Sequence, residues 1–256
     1  MIKMIKMLSI GNSFSHDAHA YFRDIATSAG FDVEVWHLLI GGCSLERHYN
    51  NMMADLPEYS FLINGEKQPM ARLSDVIEKE QFHIVTIQQV SSQAGLYSSY
   101  HPYIDGIVEY IRGHQPNAKL WWHKTWAYEI DSTHPGFAPF CKNQEIMHTA
   151  ITNVCERITK EMGFDGVIPS GDVICALRKT DEFNYPQEPS LCHDGFHMHR
   201  LYGRYAVAAT WFETLLGGNI SESDFLPPEE IVGPLGEGAL KRIDVIRKTV
   251  HEICSK

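Results

Sequence analysis

Short apolar runs alternate with longer amphipathic stretches along most of the chain. "KMLSIG" (6–11) predicts a buried first strand ending at Gly11. In "DAHAYFRDIATSAG" (17–30), Ala20, Phe22, Ile25, Ala26 and Ala29 recur at helical spacing. There Asp17 is the expected capping residue and Gly30 the stop. "FDVEVWHLLI" (31–40) is β-branched and aromatic, a second strand, and "GGCS" turns after it. Strands are further expected at 82–89, 118–126 and 164–169. Helices are expected at 70–81, 103–116, 143–163, 170–179, 200–217 and 238–254. The stretches 41–69, 127–142 and 180–199 show neither period. Strands that alternate with helices predict an α/β fold with a parallel sheet covered on both faces, and five strands fit one doubly wound domain.

No linker, repeat or low-complexity tract divides the chain, so a single domain over 1–256 is expected. The composition, 44% hydrophobic and 21% charged, is that of a globular protein with a sizeable core. A formal net charge of −10 leaves no basic surplus to displace counterions, so nucleic acid is not the expected partner. "LKRIDVIRK" reads as a solvated helix face. The six cysteines are scattered and form no C-x-x-C, so reduced or buried thiols are expected. The N-terminus lacks the pattern of a signal peptide, and no segment has the length of a membrane span. These features predict a soluble cytoplasmic protein; an exported protein with its signal removed is the other reading.

In an open α/β sheet, ligands bind at the carboxyl ends of the strands. Four polar pieces fall there: Ser13 after strand one, Gly41 and Gly42 after strand two, Gln88 and Gln89 closing strand three, and "CHDGFHMHR" (192–200) before the penultimate helix. Separately each is bland: a cap, a turn, a loop hydrogen-bonder, a surface histidine. Together they supply what serine hydrolysis needs: a hydroxyl, an imidazole base, a carboxylate to orient it, and donors for the developing oxyanion. Asp194 and His197 are three residues apart, a spacing that a turn or helix start can place on one side.

The blocks "GNSFSHD", "GGCS", "IQQVSS" and "DGFHMH" resemble those of the SGNH hydrolase superfamily, the GDSL-like esterases and lipases. The resemblance runs from residue 8 to about 212. It is most specific in the D-x-x-H block followed by "YGRYAVAATW", and it points to a little-characterised branch. It implies a three-layer α/β/α sandwich with a five-stranded parallel sheet, flavodoxin-like in class. It also implies that Ser13 is the nucleophile, with His197 oriented by Asp194. The Ser13 and Gly42 backbone N–H groups would donate to the oxyanion. The sequence departs from the family twice: Asn12 stands where Asp is usual, and no Gly-x-Asn-Asp occurs near residue 90. Gln88 is the preferred substitute for the missing asparagine, with Gln89 the other candidate.

The function so implied is a serine esterase acting, without a cofactor, on a short acyl ester such as acetyl, carried by a carbohydrate or similar polar alcohol. Trp126 and Gln89 are expected to contact the substrate. In a zinc hydrolase, His193, Asp194, His197 and His199 would be the ligands, with His16, Asp17 and Asp172 within the same chemistry. "HDGFH" lacks the glutamate of H-E-x-x-H, and Gly195 argues against a regular helix there. In a non-catalytic carbohydrate-binding relative, Trp121, Trp122, Trp126 and Tyr128 would stack on sugar rings. A phosphate loop in "SIGNSFSHDA" lacks both G-x-G-x-x-G and Gly-Lys-Ser/Thr. Asp172 is expected to be a first-turn carboxylate favouring a helix dipole.

Overall fold

The computed structural model describes residues 4–255; residues 1–3 and 256 of the expected 1–256 domain lie outside the described residues. The elements run β1 Ile5–Gly11, α1 Ser13–Ser28, β2 Val33–Leu39, α2 Leu45–Met53, β3 Ser60–Ile63, β4 Glu66–Lys67, α3 Leu73–Ile77, β5 Ile84–Ile87, α4 Tyr103–His114, β6 Lys119–His123, α5 Gln144–Met162, β7 Gly166–Ile168, α6 Ser170–Leu177, α7 Tyr202–Leu216, α8 Glu229–Val232 and α9 Glu237–Cys254.

The fold class is α/β, a mostly parallel sheet flanked by helices. The sheet has seven strands rather than the expected five, in the order β4-β3-β2-β1-β5-β6-β7. The five expected strands are all present. The two additions, β3 and β4, form an antiparallel hairpin on β2. Their turn is Asn64-Gly65, with φ of 52° and 84°. That dipeptide is favoured in two-residue hairpin loops because both central positions need positive φ. α2 also falls in the stretch that lacks a periodic signal; Ser44 caps it, its hydroxyl accepting the Arg47 N–H at 3.2 Å.

The central strands are parallel: β1 pairs with β2 and β5, and β5 with β6. Strands buried on both faces need near-continuous apolar sequence, which is why Met7, Leu8, Ile10, Val85 and Ile87 are almost wholly buried. The register sets Gly11 opposite Leu39, and Ile10 opposite Ile87. Residues 12–13, 40–43 and 88–89 therefore leave the sheet at one edge, the carboxyl ends of the strands.

The residues form two compact units, and the division falls inside α1 after His16 and inside α5 after His148. The first unit holds the sheet down to Val167 with α2, α3, α4 and the later turns of α5. Its core joins Leu8, Leu38 and Val85 to Ile77, Ile104 and Ile158. The second unit holds Asp17–Phe31, Trp126–His148 and everything from Ile168 onward. There α7 packs against both α6 and α9. It is buried on almost every side, with Ala206, Val207, Ala208, Ala209 and Trp211 at 0% exposure, so it is the unit's central helix. No described helix is long and apolar enough to cross a membrane.

Candidate active site

In the first unit, Asn12 organises the sheet edge. Its Oδ1 accepts the Phe14 N–H at 3.0 Å, so Asn12 and not Asp17 caps α1, which starts four residues earlier than expected. The same oxygen accepts from Gln88 Nε2 at 2.7 Å, and Asn12 Nδ2 donates to the Cys43 carbonyl at 3.1 Å. One side chain thus ties together the segments that carry Ser13, Gly42 and Gln88. Ser13 is the first residue of α1, where the helix dipole favours negative charge. Gly42 is exposed and has φ of 60°, a left-handed conformation that suits glycine in the turn after β2.

Gln88 is 1% exposed. Besides its bond to Asn12, its Oε1 lies 2.7 Å from His123 Nδ1. A carboxamide oxygen only accepts, so that histidine nitrogen carries the proton. Gln89 is 0% exposed and committed internally. Its oxygen accepts the Leu45 and Val90 N–H groups at 2.9 and 2.8 Å, and its nitrogen donates to the Ser99 carbonyl and hydroxyl at 3.1 Å each. The expected substrate contact at Gln89 is therefore corrected: it is a buried brace, pinning the start of α2.

In the second unit, residues 191–199 close a tight turn rather than a helix. Cys192 bridges Met198, and the His193 N–H donates to the His197 carbonyl at 3.0 Å. Asp194 fills the turn. Its Oδ1 accepts the Phe196 and His197 N–H groups at 3.1 and 2.7 Å, and its Oδ2 sits 2.6 Å from His197 Nδ1. Against an ionised carboxylate that nitrogen must be the donor, leaving Nε2 as the basic nitrogen of the neutral ring. Partial burial pushes the Asp194 carboxyl up, but the His197 ring and the His197 and Phe196 N–H groups outweigh it and hold the carboxyl below its ordinary range. Gly195 has φ of 87°, with Ser132 packed close against the place a Cβ would take.

The turn is held from several sides. Trp126 Nε1 donates to the Phe196 carbonyl at 2.7 Å. The Trp126 ring is 0% exposed, which corrects its expected role as a substrate contact: it supports the Asp194–His197 turn from beneath. The Glu129 N–H donates to the Gly195 carbonyl at 2.8 Å. Glu129 and Arg178 form a buried pair at 3.5 Å whose remaining valences reach Ser190, Ala127 and Cys192. Asp17 points from α1 to this turn, its Oδ2 accepting the Met198 N–H and its Oδ1 the Arg204 Nε–H, both at 2.8 Å. Burial pushes the Asp17 carboxyl up, opposed by Arg204, the Met198 N–H and His197.

Arg204 escaped the sequence reading because its partner is far away in the chain, and Asp17 was expected as the cap of α1 rather than as the anchor of this turn. Asp172 lies in the first turn of α6, as expected. Of the histidines and acid expected in a zinc site, His193, Asp194 and His197 bring ligand atoms within 4.8 Å of one another. His199 is not in that group; its Nδ1 accepts the Leu201 N–H at 3.3 Å and its ring stacks on Tyr202. A cavity of about 280 Å³ adjoins the turn, lined by Asp131, Ser132, Tyr185, His193 and Asp194 among others.

The family model of DUF4886, a domain of unknown function, matches residues 6–234. A DUF4886 protein of solved structure from Bacteroides uniformis is 30% identical, with a TM-score of 0.87, over 98% of this chain and 94% of that one. A candidate SGNH hydrolase from Slackia heliotrinireducens is 16% identical, with a TM-score of 0.58, over 83% of this chain and 100% of that one. An acetylxylan esterase from Geobacillus stearothermophilus is 13% identical, with a TM-score of 0.54, over 83% of this chain and 93% of that one. At those lower identities the last two share the fold. No curated protein matches the chain significantly.

Proposed function

The chain belongs to the DUF4886 family, and from that premise we propose that it is a serine esterase with Ser13 as nucleophile and Asp194–His197 as its base. The observation that carries the reading is the 2.6 Å contact between Asp194 Oδ2 and His197 Nδ1, in a turn that leaves Nε2 as the basic nitrogen. The fold shared with an acetylxylan esterase supports the same chemistry.

In this mechanism Ser13 Oγ attacks the ester carbonyl carbon while its proton passes to His197 Nε2. Asp194 stabilises the imidazolium. The new oxyanion is held by the Ser13 and Gly42 N–H groups at the sheet edge, with the N-terminal dipole of α1 behind them. Gln88 Nε2 has two hydrogens; one serves Asn12 and the other is assigned to the oxyanion. The C–O bond then breaks and His197 gives its proton to the leaving alkoxide; water, deprotonated by His197, attacks the acyl carbon, and as the ester bond to Ser13 breaks His197 returns that proton to Ser13 Oγ.

The preferred substrate is a short acyl ester, such as acetyl, on a polyhydroxylated alcohol. The hydroxyl- and carboxylate-lined cavity beside Asp194 supports a polar alcohol portion. The test is hydrolysis of p-nitrophenyl esters of increasing chain length and of acetylated xylan. Wild type is expected to favour the acetyl ester, and Ser13→Ala to lose the activity. Equal rates from the two proteins would reject the nucleophile. A preference for long chains would reject the short acyl group.

A further inference from the structure

His193 has no role in that mechanism, yet its ring is fixed. Its Nδ1 lies 3.2 Å from the Met198 carbonyl oxygen. A carbonyl only accepts, so Nδ1 carries a proton, and in the neutral ring Nε2 is the nitrogen with the lone pair. That nitrogen faces Asp194 Oδ2 at 3.6 Å, a second acceptor. A basic nitrogen this close to a carboxylate oxygen suits a cation shared between them, a proton or a metal ion. On its other side the same Oδ2 meets His197 Nδ1 at 2.6 Å. The two imidazoles lie nearly parallel, with centroids 5.9 Å apart, so Oδ2 is bracketed by ring nitrogens.

From this geometry we propose that His193, Asp194 and His197 form a zinc site that switches the esterase off, an inference that rests on the serine mechanism proposed for the same turn. Two imidazoles and one carboxylate are a zinc donor set, with a fourth position left for water. Zinc bonds of about 2.0–2.1 Å in tetrahedral geometry separate neighbouring donor atoms by roughly 3.3 Å. The observed 2.6 and 3.6 Å bracket that value, and the two ring nitrogens lie within 4.8 Å of each other. The donated Nδ1–H of His193 is the outer-shell bond that typically fixes a ligating histidine.

The backbone under the site is already set. The Cys192–Met198 bridge, the two N–H groups on Asp194 Oδ1, the Trp126 bond to Phe196 and the Asp17 bond to Met198 hold the turn before any ion arrives. The three side chains keep 46%, 34% and 27% of their surfaces exposed, which leaves an open approach for the ion and its water.

Zinc and catalysis compete for the same atoms. In the active state His197 Nδ1 holds a proton against Asp194 and Nε2 is the base. When Nδ1 ligates zinc, the ring proton moves through solvent to Nε2. That nitrogen becomes a donor and cannot take the Ser13 proton, and Asp194 is spent on the metal. His193 adds the third ligand and takes no part in the proton transfers, so it separates the two states.

The experiment uses the full chain with ZnCl2 as the probe. Calorimetric titration of Ser13→Ala is expected to show one zinc per chain. Adding His193→Asn keeps a donor for the Met198 carbonyl but removes the ligating nitrogen, and is expected to weaken binding roughly tenfold or more. In wild type, p-nitrophenyl acetate hydrolysis is expected to fall over the same zinc range and to return with EDTA. The rate of His193→Asn is expected to stay constant over the zinc range that inhibits wild type. Unchanged zinc affinity or unchanged inhibition in His193→Asn would overturn the site. Activation by zinc would overturn the inhibitory role. An inactive zinc-free wild type would sink the esterase reading and its inhibition, while the calorimetry would still decide the metal site.

Discussion

Asp17 accepts the Met198 backbone N–H at 2.8 Å from a position one turn along α1 from Ser13. The anchor spans 181 residues of sequence and fixes the backbone just after His197. Within the second unit, Asp17 is thus the α1 residue that anchors the 194–198 turn. Arg204 neutralises Asp17 from α7, the third element committed to this arrangement.

Asp17→Asn is expected to impair turnover without abolishing binding. It keeps an acceptor for Met198 but leaves Arg204, 26% exposed, without its carboxylate. Breaking a buried pair on one side costs about 3–5 kcal/mol, and the exposure of Arg204 places this case at or below the lower figure. A loosened turn misplaces His197, so kcat should fall more than KM rises, with a lowered Tm. Wild-type kcat in the variant would separate Asp17 from the site.

Asn12→Asp restores the residue usual in the resembled family and is nevertheless expected to be harmful. Aspartate can still cap α1 and accept from Gln88. It cannot donate to the Cys43 carbonyl, now 3.1 Å from the Asn12 nitrogen. It would set a carboxylate oxygen against that carbonyl, a loss of about 1–3 kcal/mol. Urea unfolding should show the deficit while circular dichroism shows α1 intact. A variant as stable as wild type would mean the Cys43 bond does not hold the sheet edge.

β5 was legible because a strand buried on both faces is almost uniformly apolar, and β1, β2, β6 and β7 because short apolar, β-branched or aromatic runs stand between helical stretches. β3 and β4 were not, since a four-residue strand paired with a two-residue edge carries little pattern; Asn64-Gly65 was the usable signal. The Asp194–His197 pairing was legible because the turn closes within three residues. Asp17 was misread as a cap because local rules see only near neighbours, and its partner Met198 is 181 residues away. Trp126 and Gln89 were placed at the right edge of the sheet, but side-chain direction decides burial, and nothing in residues 88–89 or 118–126 encodes it.

Trp126→Phe tests the support beneath the turn. The phenyl ring retains most of the packing and removes the indole N–H, now 2.7 Å from the Phe196 carbonyl. Losing one partner of a buried hydrogen bond costs about 1–3 kcal/mol. A reduced kcat with little change in KM is expected. A change confined to KM would restore a substrate-binding role to Trp126.

Acid stability should depend on His48 in α2. Its Nδ1 is 2.9 Å from the Tyr59 hydroxyl, and the two rings stack at 5.7 Å. Its Nε2 is buried with no hydrogen-bond partner among the described residues, so a proton there would have no acceptor. Burial, reinforced by the Arg47 charge, lowers the His48 pKa from 6.5 to about 3. A histidine depressed in the fold binds its proton more tightly when unfolded. Its contribution is therefore complete above pH 6.5 and is lost as pH falls from 6.5 towards 3. The loss across that window is on the order of a few kcal/mol. Urea unfolding between pH 7 and 4 should show wild type losing stability faster than His48→Asn, which keeps a polar group for Tyr59 and cannot be protonated there. Parallel pH profiles for the two proteins would remove His48 as the cause.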